Sequence, residues 1–355
     1  MEKKVKYREV ADILKQKILE GEFADGEKLA TENELAQLYQ VSRHTIRQAL
    51  GVLEQEKRIR RVQGSGNYVQ MNGTSRQNRK SKCIAVNIRY VREYIFPDLL
   101  RGIQEELAQN GYTMLLFSTN NRVEQERKNL LECMNQNVTA ILTDGTRSAL
   151  PNPNVNLYRQ IKESGIPVLF MDSSYSGLED FPTVGIDDFQ AAKTLTEYFL
   201  KKGCKNISCI FKVDSRTGQQ RYAGYDAAML EYGSMPPDEA VVWYSTGKED
   251  EVLGEAYMKR YAKADAVICY NDRVAKKVID RLLHRGICIP KEIQIGSFDN
   301  SIYSELSAVR ITSMNHPKEE MGREAVRRLI EMMKGKKVEN MQFSMELVEK
   351  ESSKK

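Results

Sequence analysis

The strongest constraint on the fold of this chain is the alternation of short apolar runs with amphipathic stretches after residue 82. The apolar runs lie at residues 84–88, 114–117, 140–143, 167–171, 207–211, 266–269 and 293–297. Stretches with helical periodicity lie between and after them, at about residues 97–109, 124–135, 189–201, 219–231, 273–285 and 318–334. This alternation predicts α/β architecture with parallel sheets. The length of residues 83–355 predicts two lobes, with ligands bound in the cleft between them at the carboxyl ends of strands.

Residues 1–70 have a different pattern, in which three helices precede a short hairpin. The helices are predicted at about residues 7–19, 32–39 and 42–56, and the strands at 58–62 and 67–69 around a glycine-rich turn. Thr31 and Ser42 are predicted N-caps of the second and third helices, and Glu34 has the capping-box position. This order of elements predicts a small winged helix-turn-helix, whose third helix would enter the major groove of DNA.

The third helix carries side chains suited to that role. Its apolar face consists of Ile46, Ala49, Leu50 and Leu53. Its other face presents Arg43, His44, Thr45 and Arg47 within the first turn and a half. Long basic and hydroxyl side chains at a helix N-terminus suit phosphates and base edges. An ordinary helix with a solvated basic face would have the same pattern, so the flanking sequence must decide between the two.

The net charge of the chain supports the DNA-binding alternative. Residues 1–80 contain 16 Lys and Arg against 11 Asp and Glu, whereas the remaining residues contain 38 of each. The positive excess therefore lies where a polyanion-binding module needs it. Residues 71–82 are polar and basic without periodicity, which predicts a flexible linker between a domain at 1–70 and a domain at 83–355.

Three consecutive motifs make the N-terminal prediction specific: LATENELA at 29–36, VSRHTIRQAL at 41–50 and VQGSGNYV at 62–69. They resemble the signatures of the GntR family of bacterial transcription regulators, although the family commonly has Pro in place of Ala30 and Thr in place of Asn67. The resemblance implies DNA contacts from the helices and from a wing tip. The implied residues are Lys6, Tyr7, Glu32, Ser42, Arg43, His44, Thr45, Arg47, Gln63, Gly64, Ser65 and Gly66.

In the α/β region, polar side chains follow the predicted strands at their carboxyl ends. These residues are Asp144, Asp172, Asn271 and Asp299. Together with Arg221 from a predicted helix, they would supply the donors and acceptors that a polyhydroxylated ligand requires. The alternative is that the Asp and Asn residues only cap the helices that follow. Trp243 could stack on a sugar, but packing in the core is the favoured prediction.

Further motifs occur in this region: FPDLLRGI at 96–103, GIPVLFMD at 165–172, RYAGY at 221–225, YND at 270–272 and SFDN at 297–300. They resemble the sensory domain of the LacI/GalR regulators, which is itself similar to periplasmic sugar-binding proteins. The resemblance implies that Arg221 and Asp299 hold sugar hydroxyls. It further implies assisting or cleft-lining roles for Asp144, Asp172, Asn271, Arg89 and His316. The spacing between Gly296 and Asp299 differs from the family pattern by one residue.

The combination of a GntR-type head with a LacI-type sensor resembles the arabinose-utilisation repressors of Gram-positive bacteria. It implies a homodimeric repressor that binds palindromic operator DNA. A small sugar in the cleft, with L-arabinose as the leading candidate, would release the DNA. A different sugar or a sugar phosphate is the alternative effector.

Other classes of protein have weaker support in the sequence. His44, His284 and His316 show no metal-ligand spacing, and no phosphate loop, nucleophile elbow or dinucleotide fingerprint occurs. Cleft carboxylates could form a glycosidase pair, and a transport protein would need an export signal that the N-terminus lacks. No apolar run has membrane-spanning length, and the six cysteines contain no C-x-x-C pair. We therefore expect a cytoplasmic regulator, not an enzyme, without cofactor, metal or membrane partner.

Overall fold

The computed structural model describes residues 6–19, 21–56, 58–62, 65–70, 82–91, 95–172 and 174–354. The chain divides into two compact units, Met1–Lys80 and Ser81–Lys355. The second unit has parallel α/β architecture, which confirms the predicted fold class. No helix in the described ranges has both the length and the apolar character needed to cross a bilayer.

The first unit consists of three helices and a hairpin, as predicted. The helices are α1 (Lys6–Leu19), α2 (Glu32–Leu38) and α3 (Arg43–Gln55), and the antiparallel strands are β1 (Ile59–Val62) and β2 (Gly66–Val69). Thr31 and Glu34 form the predicted capping box of α2, and the Ser42 hydroxyl accepts a hydrogen bond from the Thr45 amide at 3.1 Å. The predicted apolar face of α3 is fully buried, which leaves its basic face exposed.

The second unit contains twelve of the strands in the described part of the chain. They are β3 (Cys83–Ile88), β4 (Thr113–Ser118), β5 (Ala140–Asp144), β6 (Val168–Met171), β7 (Thr183–Ile186), β8 (Ile207–Lys212), β9 (Val241–Tyr244), β10 (Ala266–Cys269), β11 (Gln294–Asp299), β12 (Thr312–Asn315), β13 (Met341–Phe343) and β14 (Glu346–Val348). Every predicted strand is present. The sequence did not predict β7, β9, β12, β13 and β14, which are each only three or four residues long.

The helices of this unit cover the two sheets. They are α4 (Phe96–Gln109), α5 (Val123–Asn135), α6 (Val155–Glu163), α7 (Asp188–Lys201), α8 (Arg216–Glu231), α9 (Glu255–Tyr261), α10 (Asp272–Leu283), α11 (Ile302–Glu305) and α12 (Lys318–Met333). The predicted helices agree with these bounds to within three residues, whereas α6, α9 and α11 were not predicted.

The strands form two six-stranded sheets within the described residues, one for each lobe. Their orders are β13-β7-β6-β5-β3-β4 and β14-β12-β11-β10-β8-β9, and β14 is antiparallel to its neighbour. The chain passes to the second sheet after β7, returns after β12, and passes again between β13 and β14. The chain thus crosses between the two lobes three times, near the sheet edges formed by β7 and β13 and by β12 and β14. Several connections of this kind are expected of a hinge between lobes.

Helices α4 and α12 approach each other closely at two glycines. A Cβ on Gly102 would lie 2.1 Å from the carbonyl oxygen of Glu319, and a Cβ on Gly322 would lie 2.5 Å from that of Leu99. Any larger side chain at either position would therefore require the two helices to move apart. An ion pair between Arg323 and Glu105 at 2.8 Å also joins the two helices.

Candidate functional site

A small cavity lies between the lobes at the carboxyl ends of strands from both sheets. This inner cavity has a volume of about 30 Å³ and is lined by Arg89, Ile95, Asp172, Ile186, Asp188, Thr217, Arg221, Tyr270, Asp299 and His316. The structure thus brings together five residues singled out by the sequence: Arg89, Asp172, Arg221, Asp299 and His316. They come from distant parts of the chain and meet because parallel strands end at one edge of each sheet.

Arg221 makes three hydrogen bonds from its guanidinium group in the inner cavity. Its Nε donates to Asp188 Oδ1 at 2.8 Å and its Nη2 to Asp299 Oδ1 at 3.2 Å, while Nη1 donates to the Tyr270 carbonyl. The guanidinium carbon also lies 4.1 Å from the centroid of the Phe298 ring. Only 3% of Arg221 is exposed. Burial alone would lower the pKa of Arg221, but the two carboxylates raise it above its usual value, so the side chain stays charged.

Arg89 has a comparable position on the other lobe. Its Nε donates to Asp144 Oδ2 at 2.6 Å, and its Nη2 donates to Asp172 Oδ2 at 3.0 Å. Asp144 is buried and does not line the inner cavity, so its direct role is to position Arg89. Desolvation raises the pKa of Asp144 to about 6, against the opposing effect of Arg89.

Two further titratable groups face the inner cavity from the crossovers between lobes. Burial lowers the pKa of His316 to about 4, so its imidazole is neutral near pH 7. Its Nδ1 is buried and has no hydrogen-bond partner among the described residues. Desolvation raises the pKa of Asp188 to about 6, although Arg221 favours its charged form. A neutral imidazole with an open nitrogen can hydrogen-bond a ligand hydroxyl.

The backbone is strained at two of the cavity carboxylates. Asp172 has φ 64° and Asp299 has φ 95°, both in the region that residues with a Cβ seldom occupy. The carbonyl of Asp172 would lie 2.6 Å from a Cβ on Gly185, so the glycine permits this conformation. Strained backbone of this kind concentrates at binding sites.

A second cavity adjoins the first and shares Arg89, Ile95 and Tyr270 with it. This outer cavity has a volume of about 60 Å³, and its further lining residues are Tyr90, Phe96, Lys212, Tyr244, Thr246, Gly247, Glu249, Asn271 and Arg273. Asn271 accepts a hydrogen bond from the Val274 amide at 3.0 Å and caps α10. It therefore combines the capping role that the sequence left open with a place in the cavity wall.

Sequence reasoning missed several residues of this region and placed one wrongly. Asp188, Thr217 and Tyr270 line the inner cavity but were not among the predicted residues. Asp188 follows β7, and a prediction of that strand would have placed it beside the other strand-end carboxylates. The predicted core position of Trp243 is wrong: the side chain is 36% exposed, contacts the Tyr222 ring edge-on, and lines neither cavity.

The predicted DNA-facing residues gather around Glu32 in the first unit. Arg47 donates to both carboxylate oxygens of Glu32, at 3.0 and 3.4 Å, and Arg43 and Arg61 lie 3.8 and 3.9 Å from them. The hydrogen bond from Arg47 lowers the pKa of Glu32 below its usual value. Glu32 thus joins two arginines of α3 to one on the hairpin.

The other predicted contacts of this unit surround that cluster or lie at the start of α1. Lys6, Ser42, His44 and Ser65 are exposed, whereas Tyr7, Thr45 and Gly66 are half-buried. Ser65 hydrogen-bonds the hydroxyl of Tyr68 on β2. Gln63 and Gly64, the predicted wing tip, lie outside the described residues. The result is a basic face built from α3 and the hairpin, which is a suitable surface for a polyanion.

Comparison with known proteins assigns the chain to a family. Residues 6–69 match the model described as bacterial regulatory proteins, gntR family, and residues 196–353 match that of the periplasmic binding protein-like domain. The arabinose metabolism transcriptional repressor of Halalkalibacterium halodurans is 34% identical over 334 residues, covering 92% of this chain and 88% of the relative. The chain belongs to this repressor family.

Further similarities agree with this family assignment. The repressor of the same name from Geobacillus stearothermophilus is 32% identical over 341 residues, covering 95% of this chain and 93% of that protein. A periplasmic binding protein/LacI transcriptional regulator from Alkaliphilus metalliredigens has the same sensor fold, with a TM-score of 0.68 and 24% identity over 78% of this chain and all of that one. Both resemblances found in the sequence are confirmed. The chain is a transcriptional regulator of the combined GntR and LacI type, and these relatives are regulators rather than enzymes.

Proposed function

We propose that this regulator is a homodimeric repressor of genes for the use of a neutral sugar, with L-arabinose as its leading effector. Helix α3 and the hairpin bind operator DNA, and the sugar binds in the inner cavity. The two relatives described above are repressors of arabinose metabolism, which supports arabinose as the effector. The observation that carries the sensor part is the convergence of Arg89, Arg221 and three strand-end carboxylates on one buried cavity.

The charge of the inner cavity favours a neutral sugar over an acidic one. Its carboxylates, Asp172, Asp188 and Asp299, outnumber its guanidinium groups, Arg89 and Arg221. The pKa values of Asp188 and His316, about 6 and about 4, keep the first ionised and the second neutral near pH 7. A phosphate or carboxylate placed among these groups would be repelled. Hydroxyl groups, in contrast, can donate to the carboxylates and accept from the guanidinium groups.

The size of the inner cavity links sugar binding to a change of conformation. A cavity needs roughly 10–15 Å³ of this volume for each water, so about 30 Å³ has room for only two or three waters. A sugar ring must therefore displace the Arg89–Asp172 or Arg221–Asp299 pairing, or widen the cleft by moving the lobes. Binding then favours whichever lobe arrangement accommodates the ring, and differential affinity of this kind is the requirement for allosteric release of DNA.

Calorimetric titration of the full chain with L-arabinose, other pentoses, hexoses and sugar acids tests the proposal. We expect saturable binding of L-arabinose, and no binding to the Arg221→Ala variant. Arg285→Ala removes an exposed ion pair with Glu255 and is the matched control, which should bind as the wild type does. Asp299→Asn, a nearly isosteric change, serves if Arg221→Ala does not fold.

The outcomes separate the parts of the proposal. Binding of a different neutral sugar would keep the site and change the regulated pathway. Preferential binding of a sugar acid would refute the charge argument. If no sugar binds while operator DNA still does, the sensor part of the proposal fails and the DNA-binding part stands.

A further inference from the structure

Two buried lysines lie beside the turn that follows β11, and neither lines the inner cavity. Lys318 is the first residue of α12 and is 8% exposed, and Lys350, after β14, is 9% exposed, although lysine is seldom buried. Burial lowers the pKa of Lys318 below its usual value, while the Asp299 and Asp272 carboxylates favour its charged form. Desolvation of an ammonium group is costly, so the groups that it holds indicate its role.

The ammonium group of Lys318 joins two backbone positions beside the inner cavity. Its Nζ donates to the carbonyl oxygens of Asn300 and His316, both at 3.3 Å. The backbone amide of Lys318 donates to the same His316 carbonyl at 2.9 Å. His316 lines the inner cavity itself, and Asn300 directly follows Asp299, which also lines it. Lys318 therefore contacts the backbone on which two residues of the cavity depend.

The turn after β11 needs such support because its backbone is strained at two consecutive residues. Asp299 has φ 95° and Asn300 has φ 43°, although neither is a glycine. Conformations of this kind persist only where the surrounding contacts hold them. The Ser313 hydroxyl accepts a hydrogen bond from the Asn300 amide at 2.9 Å, and Lys318 holds the carbonyl of the same residue. We expect the turn to relax without Lys318, and Asp299 then to lose the orientation in which it accepts from Arg221 at 3.2 Å.

We propose that Lys318 is a positioning residue for the effector sugar. It holds Asp299 and His316 in the orientation that faces the inner cavity, from a position that lines neither described cavity. This inference rests on the proposed function, in which a neutral sugar occupies the inner cavity. Ligand-binding side chains are placed precisely only when a supporting shell of hydrogen bonds fixes them, and Lys318 supplies that support to two of them at once.

Calorimetric titration of the full-length Lys318→Met variant with L-arabinose tests this role. Methionine keeps most of the side-chain volume but removes the ammonium group, so both hydrogen bonds from Nζ are lost. We expect the affinity for L-arabinose to fall roughly tenfold or more, since one hydrogen bond from a charged group contributes about that factor. Lys318→Arg keeps the charge and the donors and should restore the affinity to within about threefold of the wild type. Lys318→Gln, with the same expected loss, replaces Lys318→Met if that variant does not fold.

Lys350→Met is the matched control. Lys350 is buried to the same extent, but its Nζ donates to the side chains of Asn300 and Ser304, each at 2.7 Å, and pairs with Glu305. It thus holds a side chain of the turn where Lys318 holds the backbone. Both methionine variants should lower the midpoint of thermal unfolding, because each removes hydrogen bonds from a buried charged group, whereas only Lys318→Met should weaken sugar binding.

The outcomes separate this inference from the proposed function. If the wild type binds no neutral sugar, the sensor part of the proposed function fails and the role of Lys318 fails with it. If the wild type binds L-arabinose and Lys318→Met binds it equally well, only the role of Lys318 is refuted. Equal weakening by Lys318→Met and Lys350→Met, or no recovery in Lys318→Arg, would also overturn it, because general loosening of the turn would then account for the loss.

Discussion

Replacing Arg221 with alanine should destabilise the sensor unit in a pH-dependent way. The change removes three hydrogen-bond donations, to Asp188, to Asp299 and to the Tyr270 carbonyl, from a side chain that is almost completely buried. It leaves two buried carboxylates without their cation. Removing one partner of a buried ion pair costs about 3–5 kcal/mol. We therefore expect the free energy of unfolding at pH 7 to fall by about this amount.

The pH dependence follows from Asp188. Its pKa in the folded protein, about 6, already lies above the unfolded value of about 3.9, and loss of Arg221 should raise it further. A carboxyl with a raised folded pKa opposes folding while it is ionised. This penalty is complete above the folded pKa, shrinks as the pH falls below it, and is absent only below the unfolded pKa. The deficit of Arg221→Ala relative to the wild type should therefore be largest near pH 8 and shrink toward pH 5.

Urea unfolding of both proteins across that pH range measures the deficit. The double variant Arg221→Ala/Asp188→Asn removes one of the stranded charges and should recover part of the stability at pH 8. A deficit below about 1 kcal/mol, or one that does not change with pH, would refute the argument that Arg221 neutralises buried carboxylates.

Two further predictions concern other parts of the chain. If Arg47 contacts a DNA base, Arg47→Ala should weaken operator binding by roughly 1–3 kcal/mol in a titration at fixed salt. Unchanged affinity would show that Arg47 does not contact a base. Gly102→Ala should destabilise the sensor unit by about 1–3 kcal/mol or more, because its Cβ meets the Glu319 carbonyl at 2.1 Å. Gly51→Ala, in α3 with nothing within 4 Å, should stabilise by roughly 0.5–1 kcal/mol in thermal unfolding, and equal effects of the two changes would contradict this reasoning.

The features that local sequence determines were predictable. Thr31 and Ser42 cap helices because of side-chain chemistry within three residues, and the apolar face of α3 follows from helical spacing alone. The strand-end carboxylates Asp172 and Asp299 were also recognisable, since each follows a clear apolar run. Their convergence on one cavity could be expected because parallel strands end at a common edge.

The features that depend on sheet order were not predictable. Strands such as β7, only four residues long, are too short to show a period, and Asp188 was missed because it follows β7. Trp243 lies on β9, at the edge of its sheet, so one face of the strand is open to solvent where a central strand would be covered. The lining of the inner cavity comes from residues of several elements, which no single stretch of sequence contains.

The close crossing of α4 and α12 has a mechanical consequence. Helix α4 begins at Phe96 in the wall of the outer cavity and extends for 14 residues, roughly 21 Å. Just beyond its end, the Thr113 amide donates to the Lys82 carbonyl at 2.7 Å, where the chain enters the sensor unit. Because the glycine contacts leave little room for α4 to slide past α12, we expect any tilt of α4 to pivot near Gly102. The end of α4 lies seven residues, or roughly 10 Å, beyond Gly102, so a tilt of about 5° would move it by roughly 1 Å. A change around the ligand that tilts α4 would therefore shift the segment that contacts Lys82.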